Sequence, residues 1–260
     1  MTIDASPPDA ADDLPRGGFW RRWLATVIDC ILVILPFQIL AAVLFSLTAG
    51  MVQMDGGIYS FCAPTPIEKI PQFLTPPPPH DSNFARVCRF SFFGAPNGAT
   101  LTVGRTTREG STTTTVTQGY MLDKDGAPIN GTAIDGLVQL AILAYLIGMI
   151  WKTGRTLGAR VAGLRVIDTT QPGTPGVPIH KAVIRYLAMA IGFVPVFAVL
   201  IGRYAVADGS ADAMFTGSFF RWFISAGVVA MLWGIVLTIQ VAMKKDPIYD
   251  RLAGTAVVRI

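Results

Sequence analysis

Four long apolar windows, 23–49, 134–151, 182–201 and 219–243, dominate the pattern of hydrophobic and polar positions along the chain. A hydrocarbon core about 30 Å thick takes roughly 20 apolar residues in a helix, so each window predicts a transmembrane helix. Pro36 lies inside the longest window, where it predicts a kink or a tilt. The polar stretches between the windows are short except for the first, 50–133, which alternates strand-like runs with turn residues. The expected class is therefore an all-α membrane protein: four transmembrane helices in two hairpins, an inserted small β-rich extracytoplasmic domain, and short cytoplasmic amphipathic or strand segments.

The boundaries read from this pattern are an acidic leader, 1–17, then transmembrane helices at 18–49, 134–152, 182–202 and 219–243. Between and after them come the outer insertion at 50–133, a cytoplasmic loop at 153–181, a short outer loop at 203–218 and a cytoplasmic tail at 244–260. The leader is rich in Pro and Ala and lacks periodicity, which predicts disorder. A secretory signal peptide is the competing reading of the first window, but the run outlasts a secretory apolar region and Asp29 interrupts it.

Composition agrees with lipid as the solvent: of 260 residues, 52% are apolar and only 15% charged. Charge then sets the orientation. Arg16, Arg21, Arg22, Lys152, Arg155, Arg160, Arg165, Lys181, Arg185, Lys244, Lys245, Arg251 and Arg259 cluster at one set of span ends, against only Arg203 and Arg221 in the opposite short loop. Basic residues stay inside, so both termini and the loop at 153–181 are expected in the cytoplasm of an inner (plasma) membrane, with 50–133 outside. The net charge of +4 follows from this topology and from anionic headgroups; no nucleic-acid partner is implied. The bilayer is the expected partner, with a homo-oligomer or a larger membrane complex.

Within the insertion, Cys62 and Cys88 are expected to pair as a disulfide in an oxidising compartment, free thiols being the alternative; the third cysteine, Cys30, sits in the first span. The runs ARVCRFSFF and ATLTVGRTT flank a turn signal at Pro96-Asn97-Gly98, and STTTTVTQGYML ends at a turn-like Asp123-Lys124-Asp125-Gly126. Pro76 to Pro79 reads as a stiff connector or a partner's docking strip. His80 and His180 have no second ligand at metal spacing, and no metal or cofactor is expected. Asn130-Gly131-Thr132 fits a glycosylation sequon. Catalytic signatures such as H-E-x-x-H, G-x-S-x-G or a Walker loop are missing, so an enzyme is not expected.

Two segments recur in order. Arg160-Val161-Ala162-Gly163 with Val166-Ile167 matches Arg251-Leu252-Ala253-Gly254 with Val257-Val258, and Arg22-Trp23-Leu24-Ala25 matches Arg185-Tyr186-Leu187-Ala188. This reads as a duplicated hairpin repeated about an axis along the membrane normal, chance similarity of short apolar windows being the alternative. Arg22, Thr26 and Asp29 share one helical stripe, with Asp29 roughly 10 Å deeper than Arg22 at about 1.5 Å per residue. A carboxylate at that depth should face the bundle interior and find a cation or a proton. Arg22 or Arg185 is the expected partner; the position matching Asp29 in the other half is Gly192.

Taken together, GFWRRWLATVID, GRTLGARVAGLRVID, HKAVIRYLA and YDRLAGTAVV, in that order, resemble the RDD family of membrane proteins. The resemblance places the family's arginine at Arg22, one aspartate at Asp29 and the second at Asp250; it leaves out the leader and the outer insertion. It implies transport, including sodium/proton exchange for some members, or a membrane scaffold for larger complexes. Two readings follow: an ion or proton site at Asp29, or a buried charge pair that fixes helix packing.

Overall fold

The computed structural model describes residues 14–71, 73–206 and 217–260. Most of the acidic leader and most of the short outer loop lie outside the described residues. The chain divides into two compact units: one made of Met1–Leu32, Leu140–Gly202 and Phe220–Ile260, the other of Val33–Gln139 and Arg203–Phe219.

Among the described residues, four helices are long and apolar enough to cross a membrane: Phe19–Leu47, Asp135–Thr153, Ile179–Ala205 and Gly217–Ala242. Only 11% to 28% of each apolar window is buried inside the protein, so the greater part of this hydrocarbon has no cover of its own. Trp20, Leu47, Ile201 and Ile224 are among the exposed side chains. Water tolerates no such surface, and lipid does. These helices fit a multi-pass membrane protein.

The all-α class is wrong. Of the described residues 49% are helix and 25% strand, and a curled five-stranded antiparallel sheet is a major element in its own right. The reason lies in the insertion, which buries enough apolar surface to hold a core of its own. Strands β1 to β7 run Val52–Gln53, Tyr59–Pro64, Phe84–Phe92, Ala95–Glu109, Thr112–Leu122, Pro128–Ile129 and Thr132–Ala133. β2 to β6 pair in sequence order, while β1 pairs with β7 in parallel. Along β4, Leu101 and Val103 alternate into a cluster with Ala85, Tyr120, Leu122 and Phe45, the period-two burial of a sheet with one covered face. Cys62 and Cys88 oppose one another across β2 and β3 and form the disulfide.

The turn read at Pro96-Asn97-Gly98 is displaced. The β3–β4 hairpin closes at Phe93 and Gly94, both at positive φ (46° and 87°), and Pro96 to Gly98 belong to β4. A two-residue loop with both φ values positive matches the right-handed twist of its strands. Asn97, freed from the turn, is wholly buried and donates to Gln38 Oε1 at 2.6 Å. The turn after β5 falls at Asp123, whose carboxylate accepts from the backbone N–H groups of Asp125 and Ala127.

Among the described residues the helices are α1 (Phe19–Leu47), α2 (Asp135–Thr153), α3 (Leu157–Val161), α4 (Ile179–Ala190), α5 (Val194–Val206), α6 (Gly217–Ala242) and α7 (Ile248–Ala253); α3, α4 and α7 lie wholly in the first unit, and the other four run across the division. A single 3-10 turn, Ile191–Phe193, joins α4 to α5. Each of the matched tails is a short helix, a glycine and a strand: α3, Gly163 and β8 (Leu164–Asp168), then α7, Gly254 and β9 (Thr255–Arg259). Both glycines are left-handed, at φ 65° and 62°, the conformation that ends a helix most cheaply when the residue has no Cβ. β8 and β9 pair antiparallel with Val166 opposite Val257, and the backbone N–H of Gly17 donates to Val257 at 2.9 Å. Ala25, Ile150, Ala159, Leu164, Val177, Ala182 and Val257 form the core above this sheet.

Candidate functional site

Two buried carboxylates organise the helical unit. Asp250 stands in the first turn of α7, wholly buried. Arg185, on α4, donates through Nη1 to Asp250 Oδ1, and Arg22, near the start of α1, donates through Nη1 to Oδ2 at 3.1 Å. Thr255 Oγ1 lies 3.1 Å from Oδ1, and the Arg185 guanidinium sits 5.2 Å from the centroid of the Tyr249 ring. Arg22 also donates through Nε to the carbonyl of Gly17 at 2.9 Å. One acid thus ties together α1, α4, α7 and the first residue of β9. Burial pushes the Tyr249 phenol above its usual range, although Arg185 beside it pulls the other way, so the hydroxyl stays protonated.

Asp29 does something different. Its Oδ1 accepts from the Tyr145 hydroxyl at 2.8 Å and from the Gly158 backbone N–H at 2.7 Å, and its Oδ2 accepts from Thr156 Oγ1 at 2.5 Å. Thr156 is the N-cap of α3 and in turn accepts from Ala159 N–H at 3.1 Å. The Tyr145 hydroxyl also accepts from the Leu157 N–H at 2.9 Å. The carboxylate of α1 therefore fastens the start of α3, where negative charge and unpaired N–H groups complement each other. Gly158 is required for this approach: a Cβ there would lie 2.0 Å from the Ala25 carbonyl oxygen and 2.9 Å from Asp29 Cγ.

The expectation that Arg22 or Arg185 neutralises Asp29 fails. Both guanidiniums are taken by Asp250, and among the described residues Asp29 has no ion-pair partner. The depth argument asked for a cation or a proton, whereas three hydrogen bonds from fixed donors serve a buried carboxylate as well. Asp250, placed in the site only through the resemblance, is its centre. Gly192 leaves no room for an ion, since a Cβ there would meet the Trp233 indole at 2.4 Å; it allows α6 to pack closely. Tyr145, Thr156 and Gly158 were missed. The one local signal was Thr156 followed by an apolar helical turn, an N-cap in search of a partner.

Arg22, Asp29 and Arg185 also line a cavity of about 260 Å³, together with Arg165 from β8 and an apolar wall that includes Ile150 and Met189. Further out, Lys181 Nζ pairs with Asp168 at 2.6 Å, and Arg16 pairs with Asp246 at 2.9 Å. Among the described residues no cluster of His, Cys, Asp and Glu is arranged to hold a metal ion.

The four membrane-length helices fit a multi-pass membrane protein, and its helical unit carries a buried Arg-Asp-Arg ionic knot. No protein-family model, curated protein or solved structure matches the chain.

Proposed function

We propose that this chain is an RDD-type membrane scaffold: a multi-pass protein of the plasma membrane, both termini and the loop at 153–181 in the cytoplasm and the five-stranded sheet outside. It would hold a larger membrane complex, or copies of itself, by its broad apolar flanks and its outer sheet. The order of GFWRRWLATVID, GRTLGARVAGLRVID, HKAVIRYLA and YDRLAGTAVV supports the family, and the basic residues at one set of span ends support the orientation.

The observation that carries the scaffold reading is that both buried acids are engaged by the chain's own donors, Asp250 by two guanidiniums and Asp29 by Tyr145, Thr156 and Gly158. An ion carrier needs a carboxylate that exchanges its partner during the cycle, and here each oxygen of Asp29 has a fixed donor. Sodium/proton exchange is the second reading, favoured by the cavity at Asp29 and Arg185.

Vesicles reconstituted with the purified protein and loaded with a pH-sensitive dye separate the two. A scaffold gives no sodium-driven proton movement above empty vesicles and leaves native membranes as part of a larger assembly. Sodium-driven flux that vanishes in a folded Asp29→Asn protein would overturn the scaffold reading.

A further inference from the structure

The outer sheet is fastened to α1 well before that helix ends. Gln38, buried on α1, donates through Nε2 to the Gly56 carbonyl at 3.1 Å, and its Oε1 accepts from Asn97, at the start of β4. Trp20 and Trp23 stand exposed near the other end of the helix, where aromatic side chains mark the edge of a bilayer. Counted from Trp23 at about 1.5 Å per residue, Gln38 lies roughly 22 Å along α1, short of the far side of a hydrocarbon layer about 30 Å thick. Leu35, Ile39 and Val43 carry an exposed apolar stripe past it on the same helix. The second span marks the same level, since the Asp55 N–H, next to Gly56, donates at 3.0 Å to Asp135, the first residue of α2.

The β3–β4 hairpin is thereby held near the boundary between hydrocarbon and headgroups. At about 3.3 Å per residue, Phe93 in its tip lies within about 13 Å of Asn97. Phe93 is 72% exposed, its ring edge-on to Phe92 with centroids 4.8 Å apart. Beside it, Tyr59, opposite Ser91 in the register, and Ile58 are 58% and 50% exposed. We propose that the β3–β4 hairpin tip and the start of β2 dip into the leaflet on the sheet's side, Phe93 and Ile58 among the upper acyl chains and the Tyr59 hydroxyl in the headgroups. Aromatic side chains with one apolar and one wet end suit that layer. The partner is a phospholipid surface: the patch is hydrogen-bonded to a helix whose own exposed stripe already needs lipid, so one solvent covers both. This contact requires the four helices to span a bilayer, and neither the scaffold nor the exchange reading requires it.

Nitroxide labels on single cysteines test it in the full chain reconstituted in phosphatidylcholine vesicles, with Cys30→Ser removing the free thiol and the Cys62–Cys88 disulfide left oxidised. The labels go on Phe93→Cys and Tyr59→Cys, on Leu140→Cys, exposed on α2, as the lipid reference, and on Ser111→Cys, in the turn between β4 and β5, as the water reference. Collision with oxygen, which concentrates among acyl chains, is compared with collision with a water-soluble nickel chelate. The oxygen-to-nickel ratio is expected highest at Leu140, lower at Phe93 and Tyr59, and lowest at Ser111. A ratio at Phe93 no higher than at Ser111, with Leu140 still high, overturns the proposal and leaves the membrane reading standing. A low ratio at Leu140 as well overturns both. Weak collision with both probes at Phe93 marks a tip covered by protein, and that also overturns the proposal.

Discussion

Removing the Asp250 carboxylate is the sharpest perturbation available. Asp250→Ala leaves Arg22 and Arg185 facing each other across a site in which Asp250 is wholly buried and each arginine side chain is about nine-tenths so. Deleting one partner of a buried ion pair costs about 3–5 kcal/mol, because a charge is left without compensation. Two charges are left here, so about 5 kcal/mol is the expected loss. For a chain of this size that lowers the unfolding temperature by about 10–20 °C, at roughly 2–4 °C per kcal/mol. Thermal unfolding in dodecyl maltoside, read by tryptophan fluorescence, measures it. The matched control is the apolar triple replacement Arg22→Met, Arg185→Met and Asp250→Leu, which keeps the volume and removes every charge; it is expected within about 2 kcal/mol of the native protein or above it. An Asp250→Ala protein within about 1 kcal/mol of the native one, or a triple variant less stable than Asp250→Ala, would refute the view that uncompensated charge sets the penalty.

Gly158→Ala places a methyl against the Ala25 carbonyl oxygen and should lower stability by about 3 kcal/mol, the upper end for overpacking, while Gly173→Ala, with open space around it, should be near neutral; both are read by the same unfolding assay. For Asp168, burial alone would raise the carboxyl's pKa, but Lys181 and Thr170 outweigh it and hold the group below the usual carboxylate range. The folded state therefore binds that proton less tightly than the unfolded chain, and the stabilisation is present above about pH 4 and lost as pH falls through the depressed value. Lys181→Met should flatten this acid limb in stability measured between mildly acidic and strongly acidic buffers. Replacing Cys62 and Cys88 with serine opens a link of sequence separation 26 and should cost the outer sheet about 3 kcal/mol, measured as earlier proteolysis between β2 and β3.

How much of this was legible before the fold differed from element to element. The four spans follow from length and apolarity, which depend on no tertiary contact. The strand Leu164–Asp168 and its counterpart Thr255–Arg259 could be read because an arginine, a glycine and an adjacent β-branched pair (Val166-Ile167, Val257-Val258) recur at one spacing. The all-α label failed because it weighed the insertion as an appendage, while β3, β4 and β5 bury a core around Leu101 and Tyr120. The hairpin turn was displaced because Phe93 adopts positive φ without the asparagine or glycine that usually announces it, and an Asn-Gly pair nearby drew the eye. At the site, Arg22, Asp29, Arg185 and Asp250 were all named, but the pairing was not. Tyr145, Thr156 and Gly158 reach Asp29 from 116, 127 and 129 residues along the chain, and no spacing rule links positions that far apart.

The ionic knot also sets a schedule for biogenesis. Asp250 follows Arg22 by 228 residues and Arg185 by 65, so the ribosome delivers both cations to the insertion machinery well before their counter-ion exists. Until then α1 and α4 carry guanidiniums that favour headgroups and water over hydrocarbon, which holds their ends apart. The nascent bundle thus stays unlatched through most of translation, until Asp250 joins the two arginines.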